Sequence, residues 1–150
     1  SRLNLRVVIA GHPRSDYHRF KGVFGDREIC FVDTIDQIAK SRLVMAHFST
    51  AIGLAVLFKK PVMLLATKDL YEKSFVKKKH AFEGFSNDLG APLKFYDNPD
   101  EMDLSDVFSI NDALYDQFIH KYMKMPDSPS KSRWDIVHNA IVAEKSSQTN

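Results

Sequence analysis

Short apolar runs alternate with polar, helix-like stretches along most of the chain. Five runs rich in β-branched or long aliphatic residues predict strands, at residues 5–10, 28–32, 43–46, 62–66 and 93–96. Because these runs are apolar throughout, they predict strands that are buried on both faces of a parallel sheet. The stretches between them predict helices near residues 34–40, 51–58 and 69–85. The pattern therefore predicts an α/β fold with a doubly wound, mostly parallel, Rossmann-like sheet.

The C-terminal part of the chain has a helical pattern. Leu114, Phe118 and Tyr122 recur every four residues and predict one helix with an apolar stripe. A linker rich in Pro, Ser and Lys and one last helix follow. We therefore expect an α/β domain over residues 1–125. We expect residues 126–150 to be a linker and a C-terminal helix that packs on this domain or on a further N-terminal domain.

Composition narrows the class of protein without indicating a chemistry. The 150 residues are 44% hydrophobic and 11% aromatic, which suffices for one packed domain and excludes disorder of the whole chain. A net charge of +2 argues against a nucleic-acid partner. The single cysteine, Cys30, excludes an internal disulfide framework and is expected to be an inert core thiol. No apolar run is long enough to span a membrane, and the polar start without Met predicts a processed or excised chain.

The first predicted strand ends in residues that suit an anionic ligand. In an open parallel sheet, ligands bind at the carboxyl ends of the strands. His12 offers an imidazole and Arg14 a guanidinium, whose fork matches a phosphate. Pro13 fixes its own φ and is expected to hold the turn rigid. A simple turn remains the alternative interpretation of this segment.

The third predicted strand ends in His47, followed by Ser49 and Thr50 at the start of a helix. A helix N-terminus offers free N–H groups and a partial positive charge, so this position suits a phosphate. Thr34, with Gln37 three residues later, resembles a capping box at the start of the preceding helix. These residues also have purely structural interpretations, as N-caps and as a hydrogen-bonded histidine. Taken together, the strand ends favour a phosphate-bearing ligand.

Several other chemistries lack their motifs in this sequence. The six histidines show neither H-x₃-H nor H-E-x-x-H spacing, which argues against a metal site. There is no G-x-G-x-x-G, Walker or G-x-S-x-G motif, which argues against NAD enzymes, P-loop NTPases and α/β-hydrolases. The basic run at residues 77–80 predicts a solvated helix face, with the wall of an anion-binding cleft as the alternative.

Three ordered segments resemble a known family. VIAGHPRSDY at residues 8–17, MAHFSTAI at 45–52 and LFKKPV at 57–62, with Thr34 at a helix start between the first two, follow one order. This order resembles the C-terminal, donor-binding half of GT-B glycosyltransferases that make bacterial capsule and lipooligosaccharide. It is most similar to sialyltransferase-like members, which have a His-Pro motif and a later Ser-Ser/Thr motif. The resemblance covers residues 5–67, and beyond them it extends to the architecture alone.

The resemblance implies roles for individual residues. In this family the His of the His-Pro motif, here His12, contacts the donor phosphate and helps the nucleotide to leave. The paired hydroxyls, here Ser49 and Thr50, bind the same phosphate. The general base belongs to an N-terminal domain that this chain does not contain, so no catalytic base is assigned, and the family needs no metal. The candidate residues for binding the donor phosphate and nucleotide are His12, Pro13, Arg14, Thr34, His47, Ser49 and Thr50.

The implied function is donor binding in a glycosyltransferase of surface polysaccharide synthesis. The ligand would be a nucleotide-sugar, with CMP as a candidate nucleotide, and the acceptor glycan would bind through the other domain. We expect a cytoplasmic location, either free or in peripheral contact with the inner face of the membrane. The chain would be about half of such an enzyme and inactive alone. A nucleotide-sugar epimerase-like domain and a non-catalytic α/β binding module remain as alternatives.

Overall fold

The computed structural model describes residues 2–12, 14–17, 22, 24–31, 33–47, 49–72, 77–124, 127–129, 131 and 135–139. Its strands are β1 (Val8–Ala10), β2 (Glu28–Cys30), β3 (Val44–Ala46), β4 (Val62–Ala66) and β5 (Leu93–Phe95). Its helices are α1 (Thr34–Lys40), α2 (Ala51–Leu57), α3 (Lys68–Glu72), α4 (Lys77–Leu89) and α5 (Asp112–Tyr122). A short 3₁₀ turn occupies Pro99–Glu101, and residues 135–139 of the predicted C-terminal segment are helical.

The described strands form two parallel sheets. One has two strands, in which Val8 of β1 pairs with Glu28 of β2. The other has the order β3-β4-β5, in which Leu64 of β4 pairs with Ala46 of β3 on one side and with Leu93 of β5 on the other. Parallel strands joined by helices confirm the predicted α/β class. Among the described residues, however, the hydrogen-bonded ladders form these two small sheets and not one continuous sheet.

The hydrophobic core lies on one face of the three-stranded sheet. Val62, Leu64 and Ala66 of β4 alternate along the strand and point to this face, because successive side chains of a strand alternate in direction. Helices α1, α2, α4 and α5 cover them with one cluster of buried side chains. These are Ile38, Ile52, Ala55, Val56, Phe82, Leu89, Tyr115 and Phe118.

The prediction that all strands are buried on both faces is correct for β4 and wrong for β3 and β1. Met63, on the face of β4 opposite the core, is buried, whereas Met45 of β3 and Val8 of β1 are exposed. Strand β4 is covered on both faces and has a partner on each edge, whereas β3 has one hydrogen-bonded neighbour among the described residues. Cys30 is half-buried, so the expectation of a core thiol is also wrong.

Two helix ends differ from the sequence prediction. Helix α1 begins at Thr34, but its N-cap is Asp33, whose carboxylate accepts a hydrogen bond from the N–H of Ile35 at 3.0 Å. A carboxylate at the N-cap also interacts favourably with the helix dipole, so it displaces Thr34 to the first helical position. The predicted helix over 69–85 is described as two helices, of which α4 extends further, to Leu89.

Helix α5 is fixed to the sheet by polar contacts as well as by its apolar side. The buried Tyr115 hydroxyl donates to the carbonyl of Lys60, ahead of β4, at 2.9 Å. Burial raises the pKa of Tyr115 to about 12. At the other end, Lys121 and Tyr122 donate to Asp88 of α4, and these hydrogen bonds, that of Tyr122 first, hold the pKa of Asp88 below its usual value. Helix α5 is therefore an integral part of the core.

Within the part of the chain that the structure describes, no helix has the length and apolarity needed to cross a membrane.

Candidate functional site

The loop after β3 holds His47 in a defined orientation. Strand β3 ends at Ala46, so the ladder with β4 stops at the pair of Ala46 and Leu64. The carbonyl of Leu65, just beyond this pair, lies 2.6 Å from Nδ1 of His47. Because a carbonyl can only accept, Nδ1 carries the proton, and Nε2 of the neutral ring is an acceptor. The His47 ring is exposed at the carboxyl edge of the sheet.

A tyrosine from β5 reaches the same edge. The N–H of Tyr96 donates to the carbonyl of Ala66 at 3.0 Å, which extends the ladder of β5 to the end of β4. The rings of Tyr96 and His47 meet edge to face, with centroids 5.8 Å apart and an angle of 60°. Since β4 lies between β3 and β5, these two rings bridge over the end of the central strand.

Asp97 completes this edge on the side of α3. One oxygen of its carboxylate accepts from the main-chain N–H of Lys68 at 2.9 Å, which ties β5 to the first residue of α3. The hydroxyl of Thr67 caps the same helix by accepting from the N–H of Leu70 at 3.0 Å. The carboxyl edge of the three-stranded sheet thus combines two aromatic rings with oxygen acceptors.

Ser49 and Thr50 directly precede α2, but the local hydrogen bonds differ from those expected. The hydroxyl of Ser49 accepts from the N–H of Ala51 at 3.1 Å. The carbonyls of Ser49 and Thr50 accept from the N–H groups of Ile52 and Gly53, at 3.1 and 3.2 Å. All three N–H groups of this turn therefore have partners within the loop. What remains for a ligand is the O–H of Ser49 and the hydroxyl of Thr50, which makes no capping hydrogen bond.

The loop after β1 is closed on itself around His12. The N–H of His12 donates to the hydroxyl of Tyr17 at 2.8 Å, and its carbonyl accepts from Ser15. The N–H of Arg14 donates to Nδ1 of His12 at 3.1 Å. An N–H group can only donate, so Nδ1 of His12 is the acceptor and its Nε2 carries the proton. His12 and Arg14 are both exposed.

His12 and His47 thus have opposite tautomers. His12 presents an Nε2–H donor to solvent, whereas His47 presents an Nε2 lone pair. Among the described residues, the structure gives neither Nε2 atom a hydrogen-bond partner. A neutral His12 suits an anionic oxygen, and a neutral His47 suits a hydroxyl or another donor.

The predicted site residues fall into separate groups. His12 and Arg14 lie together after β1, and His47, Ser49 and Thr50 lie together after β3. The structure pairs β1 with β2 and β3 with β4, and no hydrogen bond joins the two groups in the described part of the chain. Thr34 lies half-buried at the start of α1, after β2. Pro13 lies outside the described residues.

Sequence reasoning missed the contribution of β5. Residues 93–96 were expected to form a strand, and the carboxyl end of a parallel strand is where ligands bind. Applied to all strands, this rule would have added Tyr96 and Asp97 to the candidates. Their contacts with His47 and Lys68 require that β5 lies beside β4, and sequence alone does not give the strand order.

The described residues contain no group of three or more His, Cys, Asp or Glu side chains that could hold a metal ion. No protein-family model, curated protein or solved structure matches this chain.

Proposed function

We propose that the chain binds a nucleotide-sugar as the donor-binding domain of a glycosyltransferase of surface polysaccharide synthesis. The observation that carries the proposal is that exposed polar and aromatic side chains follow the carboxyl ends of parallel strands in both sheets. His12 follows β1, His47 follows β3 and Tyr96 follows β5. Open α/β sheets bind ligands at this edge. The ordered resemblance of the first half of the chain to GT-B donor domains adds the class of ligand.

The donor phosphate would be held by groups that donate hydrogen bonds. Nε2–H of His12 and the guanidinium of Arg14 are exposed donors on one loop. The hydroxyls of Ser49 and Thr50 supply donors on the other loop, while the N–H groups beside them stay engaged in the turn. Phosphate binding would therefore rely on side chains more than on the helix end, because α2 has already satisfied its first N–H groups.

The proposed reaction is a direct displacement at the anomeric carbon of the donor sugar. A base on a second domain would remove the proton of the acceptor hydroxyl, whose oxygen then attacks that carbon. The bond from the carbon to the phosphate oxygen breaks, and negative charge grows on the departing nucleotide. His12 and Arg14 would stabilise this charge by hydrogen bonds that strengthen as it develops.

Nucleotide binding to the chain tests this proposal. We expect CMP, CDP, UMP or UDP at millimolar concentration to raise the melting temperature, because a ligand that binds only the folded state stabilises it. His12→Ala should weaken this binding by removing a donor to the phosphate. Thr50→Val is a sharper second variant than Ser49→Ala, since the Ser49 hydroxyl accepts from the N–H of Ala51 and the loss of this hydrogen bond would also cost about 1 kcal/mol of stability.

His120→Ala provides the matched control. His120 is an exposed histidine on α5, a helix that carries none of the proposed ligand contacts, and its replacement should leave nucleotide affinity unchanged. If none of the four nucleotides binds at millimolar concentration, the chain is not a donor-binding domain, and a non-catalytic binding module becomes the better account. Turnover of a UDP-sugar without an acceptor, by the complete protein, would favour the epimerase-like alternative.

A further inference from the structure

The opposite tautomers of His12 and His47 indicate that the two side chains contact different parts of the proposed ligand. We propose that His47 and Tyr96 form a subsite for a hydroxyl-bearing sugar ring, while the phosphate binds to His12 and Arg14 and to the hydroxyls of Ser49 and Thr50. This rests on the proposed function, because it assigns parts of the same nucleotide-sugar to different strand ends. The ring would be the ribose of the nucleotide or the transferred sugar, which share the same chemistry of C–H faces and O–H donors.

The first argument is the protonation of the His47 ring. The carbonyl of Leu65 takes the Nδ1–H at 2.6 Å, so the neutral ring presents a lone pair at Nε2. A lone pair accepts from a sugar hydroxyl but repels a phosphate oxygen. Phosphate binding at His47 would require a second proton on the ring. His12, whose Nδ1 accepts from Arg14, already has its proton on Nε2.

The second argument is the surface beside His47. Tyr96 is 40% exposed and its ring stands edge to face against the imidazole, so an aromatic side chain is accessible next to the lone pair. An aromatic ring supplies the flat apolar contact that the C–H face of a sugar needs. The hydroxyl of Tyr96 adds a group that both donates and accepts.

The third argument is the acceptor character of the neighbouring carboxylate. Asp97 uses one oxygen for the N–H of Lys68, and its other oxygen has no partner among the described residues. A carboxylate accepts from hydroxyl groups and repels phosphate. Lys68, whose main-chain N–H donates to Asp97, is itself a cationic residue, and the test below includes phosphate for that reason. The surface formed by His47, Tyr96 and Asp97 therefore favours hydroxyl donors over anions, and the phosphate would contact this loop only through the hydroxyls of Ser49 and Thr50.

Imidazole nitrogen spectra measure the tautomers and the ligand contacts together. In the free protein we expect His47 to show a protonated Nδ1 and His12 a protonated Nε2, with signals assigned by His12→Gln and His47→Gln. Cytidine and uridine, which carry ribose but no phosphate, should shift the Nε2 signal of His47. Inorganic phosphate should shift the signals of His12 and leave those of His47 unchanged.

The variant His47→Asn removes the Nε2 lone pair but keeps a donor for the carbonyl of Leu65. The asparagine amide nitrogen lies where Nδ1 was and can still donate to Leu65, but the acceptor at Nε2 is gone. We expect roughly a three- to tenfold loss of affinity for the nucleoside, the effect of one hydrogen bond. Affinity for phosphate should not change. Tyr96→Leu should weaken nucleoside binding to a similar extent, and Tyr96→Phe should weaken it less.

Nucleosides and a CMP-linked sugar distinguish whether the bound ring is the ribose or the transferred sugar. If 2′,3′-dideoxycytidine no longer shifts His47 while cytidine does, the ring is the ribose. If neither nucleoside affects His47 but a CMP-linked sugar does, the ring is the transferred sugar. Either result supports the subsite.

Two results would overturn it. One is a shift of the His47 signals by inorganic phosphate alone. The other is unchanged affinity of His47→Asn for both a nucleotide and a CMP-linked sugar that bind through His12. In that case the proposed donor binding is retained and the subsite is rejected. If no nucleotide, nucleoside or CMP-linked sugar binds at all, both the proposed function and the subsite fail.

Discussion

Val8 of β1 and Val62 of β4 are the same residue type in parallel strands, yet 41% of Val8 is exposed and 1% of Val62. The difference reflects what surrounds each strand. Strand β4 has partners on both edges and a core of helices on one face, whereas β1 pairs with β2. Among the described residues, no side chain of β1 or β2 belongs to the buried core cluster. Stability is therefore concentrated around β4, while β1 mainly positions the loop of His12.

This division suits a binding domain. A rigid sheet holds His47 and Tyr96 through main-chain carbonyls of Leu65 and Ala66. The β1–β2 pair carries the other half of the proposed site on a part of the chain with fewer buried contacts. Regions with few buried apolar contacts open at lower free energy than the core. A ligand that contacts both loops would therefore stabilise the β1–β2 pair most.

The largest expected effect comes from removing one aromatic ring in each region. Phe82 of α4 is fully buried in the core, and Phe31, after β2, is 58% exposed. Phe82→Ala should cost about 3 to 5 kcal/mol of unfolding free energy, because it leaves a cavity. Phe31→Ala should cost less than about 1 kcal/mol. Urea unfolding of both variants measures this, and equal losses would mean that the β1–β2 pair is as well packed as the core.

The same comparison can be made with glycines. Gly90 ends α4 with a φ of +62°, and an added Cβ would lie 3.0 Å from Leu114 Cδ1. Gly90→Ala should therefore cost at least about 1 kcal/mol. At Gly11 a Cβ would come 2.7 Å from Cε1 of Phe31, an exposed ring that can swing away. Thermal melts should show the smaller loss for Gly11→Ala, and the reverse order would contradict the loose packing of Phe31.

A smaller effect is expected from the Tyr115 hydroxyl, which joins α5 to the residue before Pro61. Tyr115→Phe should cost about 1 kcal/mol at neutral pH, the value of one hydrogen bond. The pKa of Tyr115 is raised to about 12 in the folded chain, so between pH 10 and 12 the unfolded chain loses its proton first. Stability should consequently fall as the pH rises through this range. The loss of stability between pH 9 and pH 11, measured by unfolding at both values, should be smaller in Tyr115→Phe than in the parent chain. Tyr96→Phe is the exposed control and should lose as much as the parent.

Local sequence patterns predicted the elements well and their environment poorly. The predicted bounds of α1 and β4 match the structure because they follow from local features. For α1 these are a capping residue at its start and Lys40 at its end, and for β4 the feature is an apolar run. Burial of β1 was overestimated because the runs of β1 and β4 are equally apolar, and only the strand order decides which of them is central. The capping position moved from Thr34 to Asp33, since both residues can cap and the choice depends on backbone geometry.

The candidate site was predicted in part for the same reason. His12 follows β1, and His47 and Ser49 follow β3, so local patterns indicated them. Tyr96 was missed because it reaches His47 across β4, a contact between residues far apart in the chain. The tautomers could not be predicted either, because they depend on the carbonyl of Leu65 and the N–H of Arg14.

Hydrogen exchange with and without CMP tests most directly the claim that the β1–β2 pair is less stable than β4 and becomes protected when the nucleotide binds. It measures the protection of both regions and the effect of the ligand in one experiment. Without nucleotide, the amides of β4 should exchange only through global unfolding, and those of β1 and β2 should exchange much faster. Bound CMP should slow exchange most in β1 and β2 and in the loops of His12 and His47. Equal protection of β1 and β4 without nucleotide, or protection by CMP that leaves both loops unchanged, would contradict the account.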